Sequence, residues 1–158
     1  MASTTHTTNP KPDVTFAMGA EALFALLHIQ TNVVRPIDDA FDAAHGTGIS
    51  GFELLARLSR MHPDGASVRY LSEQVVVSPS RVSRLADEFV GRGWLERAVS
   101  PHDGRLSLVR LTASGRTALA AMEQTFAQAL QQHFLDHLSQ EQLASLIAVG
   151  NTLGAPHC

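Results

Sequence analysis

A change of period at Gly93 constrains this chain more than any other feature. Before it, residues 78–94 read SPSRVSRLADEFVGRGW, and Val82, Leu85, Ala86, Phe89 and Val90 fall at helical spacing on one stripe. The opposite face is left to Ser80, Arg81, Ser83, Arg84, Asp87 and Glu88. Ser78 can cap the first amides, Pro79 suits the first helical position, and Val77 can pack on Val82 across the cap. Gly91 and Gly93 bracket Arg92 and mark the end. Beyond them the text alternates. Residues 94–99 and 107–112 predict two strands, and Pro101, Asp103 and Gly104 between them predict a hairpin tip. A short amphipathic helix with Ser and Arg in its first turn and its rear on a core is what reading a major groove requires.

The remaining text is mostly helical. Residues 1–13 are rich in Thr, Pro and Asn and predict a disordered tail. Residues 14–44 carry one long pattern through Phe16, Ala20, Leu23, Leu27, Val34, Ile37 and Phe41. Phe24, Leu26 and Ile29 widen that stripe beyond what one small domain can cover, so a partner subunit is the expected cover. Pro36 inside the pattern predicts a kink near residues 32–35. Ser50 and Glu53 read as a capping box for a second helix through Leu54, Leu55, Leu58 and Met61. Ser67 is expected to cap a short third helix with Tyr70, Leu71 and Val75 inward. After the hairpin, Thr112 caps a long helix with Leu119, Met122, Phe126, Leu130 and Phe134 in its stripe. Ser139 and Gln142 then form a capping box for a last helix through Leu143, Leu146, Ile147 and Leu153.

Helix, helix and hairpin make a winged helix. The expected fold is therefore mainly α with a small β-hairpin, of about six helices and two to three strands. Its winged helix-turn-helix region, residues 49–112, is embedded in a helical dimerisation region, residues 14–48 and 113–158.

Charge decides the class of partner. The chain's net charge of −3 argues weakly against a polyanion, but residues 57–116 hold ten arginines (57, 60, 69, 81, 84, 92, 97, 105, 110, 116) against six acids, a net +4. The segments before and after carry −4 and −3. Basic charge is thus gathered where phosphates would lie. The longest apolar stretch, around residues 20–29, is broken by Glu21 and His28 and reads as too short for a bilayer, and residues 1–12 show no export signal. A cytoplasmic protein with no membrane partner is expected. The one cysteine, Cys158, leaves no intramolecular disulfide and no thiolate metal cluster.

Four pieces stand in order within residues 67–115: Ser78-x-Ser80-Arg81-Val82-Ser83-Arg84-Leu85, Gly93-Trp94-Leu95-Glu96-Arg97, Asp103-Gly104-Arg105 and Leu111-Thr112-x-x-Gly115. With one long helix before and two after, they closely resemble the MarR (multiple antibiotic resistance regulator) family of winged-helix transcription factors. The resemblance implies a homodimer interlocked through its first and last two helices, with two winged helices reading adjacent major grooves of a pseudo-palindrome in double-stranded DNA. It implies a repressor relieved by a small molecule, phenolic or otherwise anionic, bound between the dimerisation and DNA-binding parts. By position, Ser80, Arg81 and Arg84 would face base edges, Ser78 and Ser83 the phosphates, and Arg105 the minor groove, with Asp103 orienting an arginine nearby. No cofactor is expected.

Plainer readings stand beside these. Arg84 and Glu88 have the spacing of an ordinary surface ion pair, Asp103 is also a turn former, and Trp94 reads as a packing residue. His28 is open to two roles, a wall of the effector pocket or a core imidazole. His133 and His137, spaced i, i+4 on one helical face, with Asp42 and His45 as further ligands, would suit a zinc-responsive regulator. Against that stands their place near the end of their helix, where the zinc sensors of this family carry such a pair nearer its start. A winged helix used only for protein contacts would not need Arg81, Arg84 and Arg105. An enzyme is not expected, because no phosphate loop, nucleophile elbow or dense metal cluster is written in the chain.

Overall fold

The long N-terminal pattern is one continuous helical run with a changed turn inside it. The computed structural model, which describes residues 13–61, 65–100 and 107–154, gives α1 (Val14–Ile29), a π-helical segment (Gln30–Val34) and α2 (Arg35–His45). Pro36 stands in the first turn of α2. Its ring lacks an N–H and presses on the carbonyl four residues back, so the ladder widens there instead of continuing as α-helix. The irregularity expected at residues 32–35 takes this form.

The two halves of that run behave differently. Ile37 and Phe41 of α2 are buried in the core, whereas α1 buries no residue at all. The run Val14–His45 is long and apolar enough to cross a membrane by length and composition, an 18-residue window within it having a mean hydropathy of 1.3. The apolar stretch of residues 20–29 is thus part of a longer helical run that extends past it at both ends.

α3 (Ile49–Ser59) begins in a way the sequence did not announce. Its N-cap is Gly48, and the Ile49 N–H donates to Asp38 Oδ1 of α2 at 2.7 Å. Ser50 therefore lies already inside the helix, and the predicted Ser50–Glu53 box does not form. Glu53 instead faces Arg57 at 3.5 Å and accepts from the Val76 N–H at 3.4 Å. A cap supplied by another helix fixes the α2–α3 angle as well as the helix end. Asp38→Ala should remove about 1 kcal/mol of stability and lower the melting temperature by roughly 2–4 °C for a chain of this size. A thermal melt followed by circular dichroism reads this directly.

α4 (Val68–Gln74) is capped as expected, the Tyr70 N–H donating to Ser67 Oγ at 3.1 Å. Leu71 is buried, but Tyr70 is 50% exposed rather than inward. A helix of two turns shows the core one narrow face, and Leu71 already occupies it. α5 (Pro79–Gly91) packs on α4 and leads into β1 (Leu95–Val99), which pairs antiparallel with β2 (Ser107–Leu111), Leu95 opposite Leu111 and Val99 opposite Ser107. Ala66 bridges Val109 as a one-residue third strand.

α6 (Ala113–His133) starts at Thr112, whose Oγ1 accepts from the Gly115 N–H at 3.0 Å. A 3-10 turn (Leu135–His137) joins it to α7 (Gln140–Gly154). Both bonds of the predicted capping box are made, Ser139 N–H to Gln142 Oε1 at 2.9 Å and Gln142 N–H to Ser139 Oγ at 3.2 Å. The core joins Phe41, Leu54, Leu55, Leu71, Val82, Leu85, Phe89, Leu95, Val109 and Met122, with α2 packed on α6. Like α1, α7 contributes no buried residue.

Candidate nucleic-acid interface

The core grips α5 from behind and leaves its front free. Val82, Leu85, Ala86 and Phe89 are buried, and Val77, Val90 and Trp94 pack against the same cluster in part. Ser78, Ser80, Arg81, Ser83 and Arg84 are all exposed along the opposite side. Ser78 is the N-cap residue, but its hydroxyl meets Ser80 Oγ at 3.2 Å instead of capping an amide. That corrects the expected side-chain cap.

The electrostatics of this face differ from those of its surroundings. Arg57, Arg69, Arg92, Arg97 and Arg110 pair with Glu53, Glu73, Glu88, Asp87 and Glu96 respectively. Among the described residues Arg81 and Arg84 pair with no carboxylate. The alternative Arg84–Glu88 pair does not form, because Glu88 turns towards Arg92 at 2.6 Å; Arg84 Nε donates to the Ser80 carbonyl at 3.4 Å. The first two turns of α5 thus carry hydroxyls and unneutralised guanidinium groups on one exposed edge.

The far end of α5 closes in a Schellman motif. Gly93 has φ of +72°, the Trp94 N–H donates to the Phe89 carbonyl at 2.9 Å and the Gly93 N–H to the Val90 carbonyl at 3.0 Å. Trp94 packs on Phe89 with ring centroids 5.2 Å apart, as a packing residue should. Arg97 on β1 joins Asp87 on α5, and Arg110 joins its cross-strand partner Glu96 at 2.7 Å, so the hairpin root is tied to the helix. Asp103 and Arg105 lie outside the described residues, as do His157 and Cys158.

No motif in the sequence marks Arg92 for the contacts it makes. Its Nη1 donates to the His45 carbonyl at 2.9 Å and its Nη2 to the Gly46 carbonyl at 2.6 Å. The sequence signal for it is slight, a glycine just past one helix and an arginine at the end of another.

The histidines separate. His28 is exposed on α1, which removes the core reading for the single chain. A cavity of about 640 Å³ opens between the π segment, the end of α6 and α7, lined by Ile29, Val33, His133, Phe134, His137 and Leu146 among others, without His28. His133 and His137 do not share a helical face, since α6 stops at His133 and His137 sits in the 3-10 turn. His45 Nε2 meets Thr125 Oγ1 of α6 at 2.8 Å. Among the described residues no group of three or more His, Cys, Asp or Glu is placed to hold a metal ion.

The sequence profile of the MarR family matches residues 46–106, which span α3 to the hairpin. YdgJ of Bacillus subtilis strain 168, an HTH-type transcriptional regulator, is 30% identical over 130 residues, 82% of this chain and 75% of that protein. The chain belongs to the MarR family. Like other MarR family members it is a transcriptional regulator and not an enzyme. Its fold is that of the MarR regulator Sco3205 of Streptomyces coelicolor, solved in complex with DNA, at a TM-score of 0.82 and 21% identity over 92% of this chain and 91% of that one. It is also that of CouR of Rhodococcus jostii RHA1, solved with p-coumaroyl-CoA, at a TM-score of 0.75 and 18% identity over 89% and 96%.

Proposed function

We propose that this MarR family regulator acts in the cytoplasm as a homodimeric repressor. Two copies of α5 hold a pseudo-palindromic operator in double-stranded DNA, and a phenolic or otherwise anionic small molecule releases it. The observation that carries this reading is the exposed edge of Ser80, Arg81, Ser83 and Arg84, where two arginines without an acidic partner among the described residues stand within one turn of each other beside two hydroxyls. A guanidinium beside a carboxylate is neutralised and turned towards it; one without a carboxylate keeps its charge and can fork onto the two acceptors of a guanine edge. Residues 49–112 would read the DNA, while α1, α6 and α7 would join the subunits and set the two reading helices about one duplex turn apart, roughly 34 Å.

The apolar surface supports the dimer. Val14, Phe16, Met18, Leu23, Phe24, Leu26 and Leu27 of α1 and Ile147, Val149 and Leu153 of α7 are all exposed in the single chain, more than a soluble monomer leaves open. The effector reading draws on the family and on the acyl-CoA thioester held by its relative CouR. His28, on the exposed α1, is the position proposed to respond to it.

The test compares two arginines. Arg84→Ala should cost about 1–3 kcal/mol per site and relax preference at one base position per half-site. Arg105→Ala, at the expected wing tip, should weaken binding to many sequences alike and make the logarithmic salt dependence shallower by about one unit per subunit. Isotherms on selected and scrambled DNA at several salt concentrations separate the two. A base-preference change from Arg105→Ala with a uniform loss from Arg84→Ala would reverse the assigned roles, and no salt-dependent DNA binding by the native protein would leave a protein-contact module.

A further inference from the structure

Arg92 joins elements that the proposed function assigns to different tasks. α2 ends at His45, and Gly46 turns left-handed with φ of +62°. The last carbonyls of such a helix have no N–H of their own to accept, and they lie at the negative end of its dipole. Here the carbonyls of His45 and Gly46 accept both arms of the Arg92 guanidinium, at 2.9 and 2.6 Å. Arg92 is itself the C-cap residue of α5, and its Nη2 also meets Glu88 Oε1 at 2.6 Å. The same guanidinium lies over Trp94, 4.9 Å from the ring centre, just before β1. The C-terminus of α2 and the Glu88 carboxylate of α5, which would repel one another, converge on one cation.

The line of contacts continues into the scaffold. His45 Nε2 meets Thr125 Oγ1 on α6 at 2.8 Å, and α2 packs along α6. α6 therefore holds α2, and α2 holds α5 through Arg92. Apart from this clamp, α5 lies against α4 and β1, and its buried stripe of Val82, Leu85 and Phe89 rests on the shared core, with Phe89 against Gly51 of α3.

We propose that Arg92 is a positioning residue that sets the angle of α5 on the dimer-forming helices, and with it the half-site spacing the dimer accepts; this rests on the dimeric DNA-binding reading above. The leverage is geometric. The 13 residues of α5 make a rod of about 20 Å at 1.5 Å per residue, clamped at its C-terminal end, with its DNA-reading residues at the other. A tilt of about 10° at the clamp carries the reading end about 3.4 Å, the rise of one base pair. In a two-fold dimer both reading ends shift, so a loosened clamp blurs spacing while leaving each set of base contacts intact.

The experiment starts from DNA that the native protein selects from a random pool. Affinity is then measured on that operator, on versions with one base pair added to or removed from the centre, and on versions with one substituted base in a half-site. The native protein should lose at least about tenfold when the spacer changes. Arg92→Ala should bind the best operator more weakly yet lose less than about threefold on spacer change, while a half-site substitution still costs it what it costs the native protein, about 5- to 150-fold. Arg92→Lys keeps the charge and loses the fork, and should flatten the spacing dependence as well, which covers the case in which the alanine variant does not fold. A native spacing penalty in either folded variant overturns the proposal. Failure of the native protein to select a two-half-site DNA overturns the dimeric reading first, and this inference with it.

Discussion

Leu23→Asp combined with Leu27→Asp should turn a dimer into a folded monomer that no longer holds DNA. Both leucines lie on one face of α1 and are 56% and 55% exposed in the single chain. If that face is covered by a second copy, each dimer hides four of these side chains, and burying a leucine is worth about 1.5–3 kcal/mol. As each is about half exposed beforehand, their sum is about 3–7 kcal/mol, a large part of the roughly 8 kcal/mol behind a micromolar dissociation constant. Placing carboxylates there adds a further desolvation penalty. Sedimentation at micromolar concentration should show the native dimer and the variant monomer, and DNA affinity should fall by more than about a hundredfold because one half-site alone supplies the contacts. Because α1 buries no residue within its own subunit, the helical signal and the core should survive. A variant that stays dimeric places the subunit contact elsewhere, and one that unfolds shows that α1 also braces its own core.

A second large effect is expected at Gly115, in the first turn of α6. A methyl group there would press into the carbonyl oxygen of Trp94 and approach Leu111 Cδ2 to 2.8 Å. The carbonyl is backbone at the root of β1, and it is held in place by the Thr112 N–H at 3.1 Å, while Thr112 Oγ1 donates to the Gly93 carbonyl at 2.7 Å. Neither side has slack, so Gly115→Ala should cost about 1–3 kcal/mol or more from overpacking, against a helix-propensity gain of only 0.5–1 kcal/mol or so. The melting temperature should drop by several degrees. Gly91→Ala in the last turn of α5, where nothing lies within 4 Å, is the control and should be neutral or slightly stabilising. Equal melting temperatures for the two variants would mean that the α6 start shifts freely on the hairpin.

How much of this could be read from the text follows the distance between partners. The stripe of Val82, Leu85 and Phe89, the Thr112 cap and the Ser139–Gln142 box are written within one or two turns, and the structure keeps them. Ser50 and Glu53 have the right spacing for a cap, yet α3 takes its cap from Asp38, because the fold places a better acceptor there than the local one. Arg92 reaches back to His45 and Gly46, and no periodicity relates residues so far apart in the chain. Tyr70 was assigned inward from spacing alone, where one neighbour sufficed to fill the face. On α5 the choice of partner for Glu88 was open, since Arg84 and Arg92 each stand four residues away; the carbonyls of α2 hold Arg92 in reach and leave Arg84 free. Gly115 stood in the quoted motif, but the close approach that requires it shows only once Trp94 is in place.

The widened turn at Gln30–Val34 separates two lengths of one helix that pack differently. Below it, Ile37 and Phe41 answer to the subunit's own core. Above it, the apolar side chains of α1 answer to nothing inside the subunit. The surplus residue in a π turn shifts the phase of everything before it relative to everything after, so the upper stripe can aim away from the core without interrupting the helix. If two copies pair through α1 as proposed, substitutions above the turn alter which chains pair, and substitutions below it alter whether a chain folds. A duplicated gene could acquire its own pairing preference by drift in α1 alone and never form mixed dimers with its parent, while the DNA-reading half stayed unchanged.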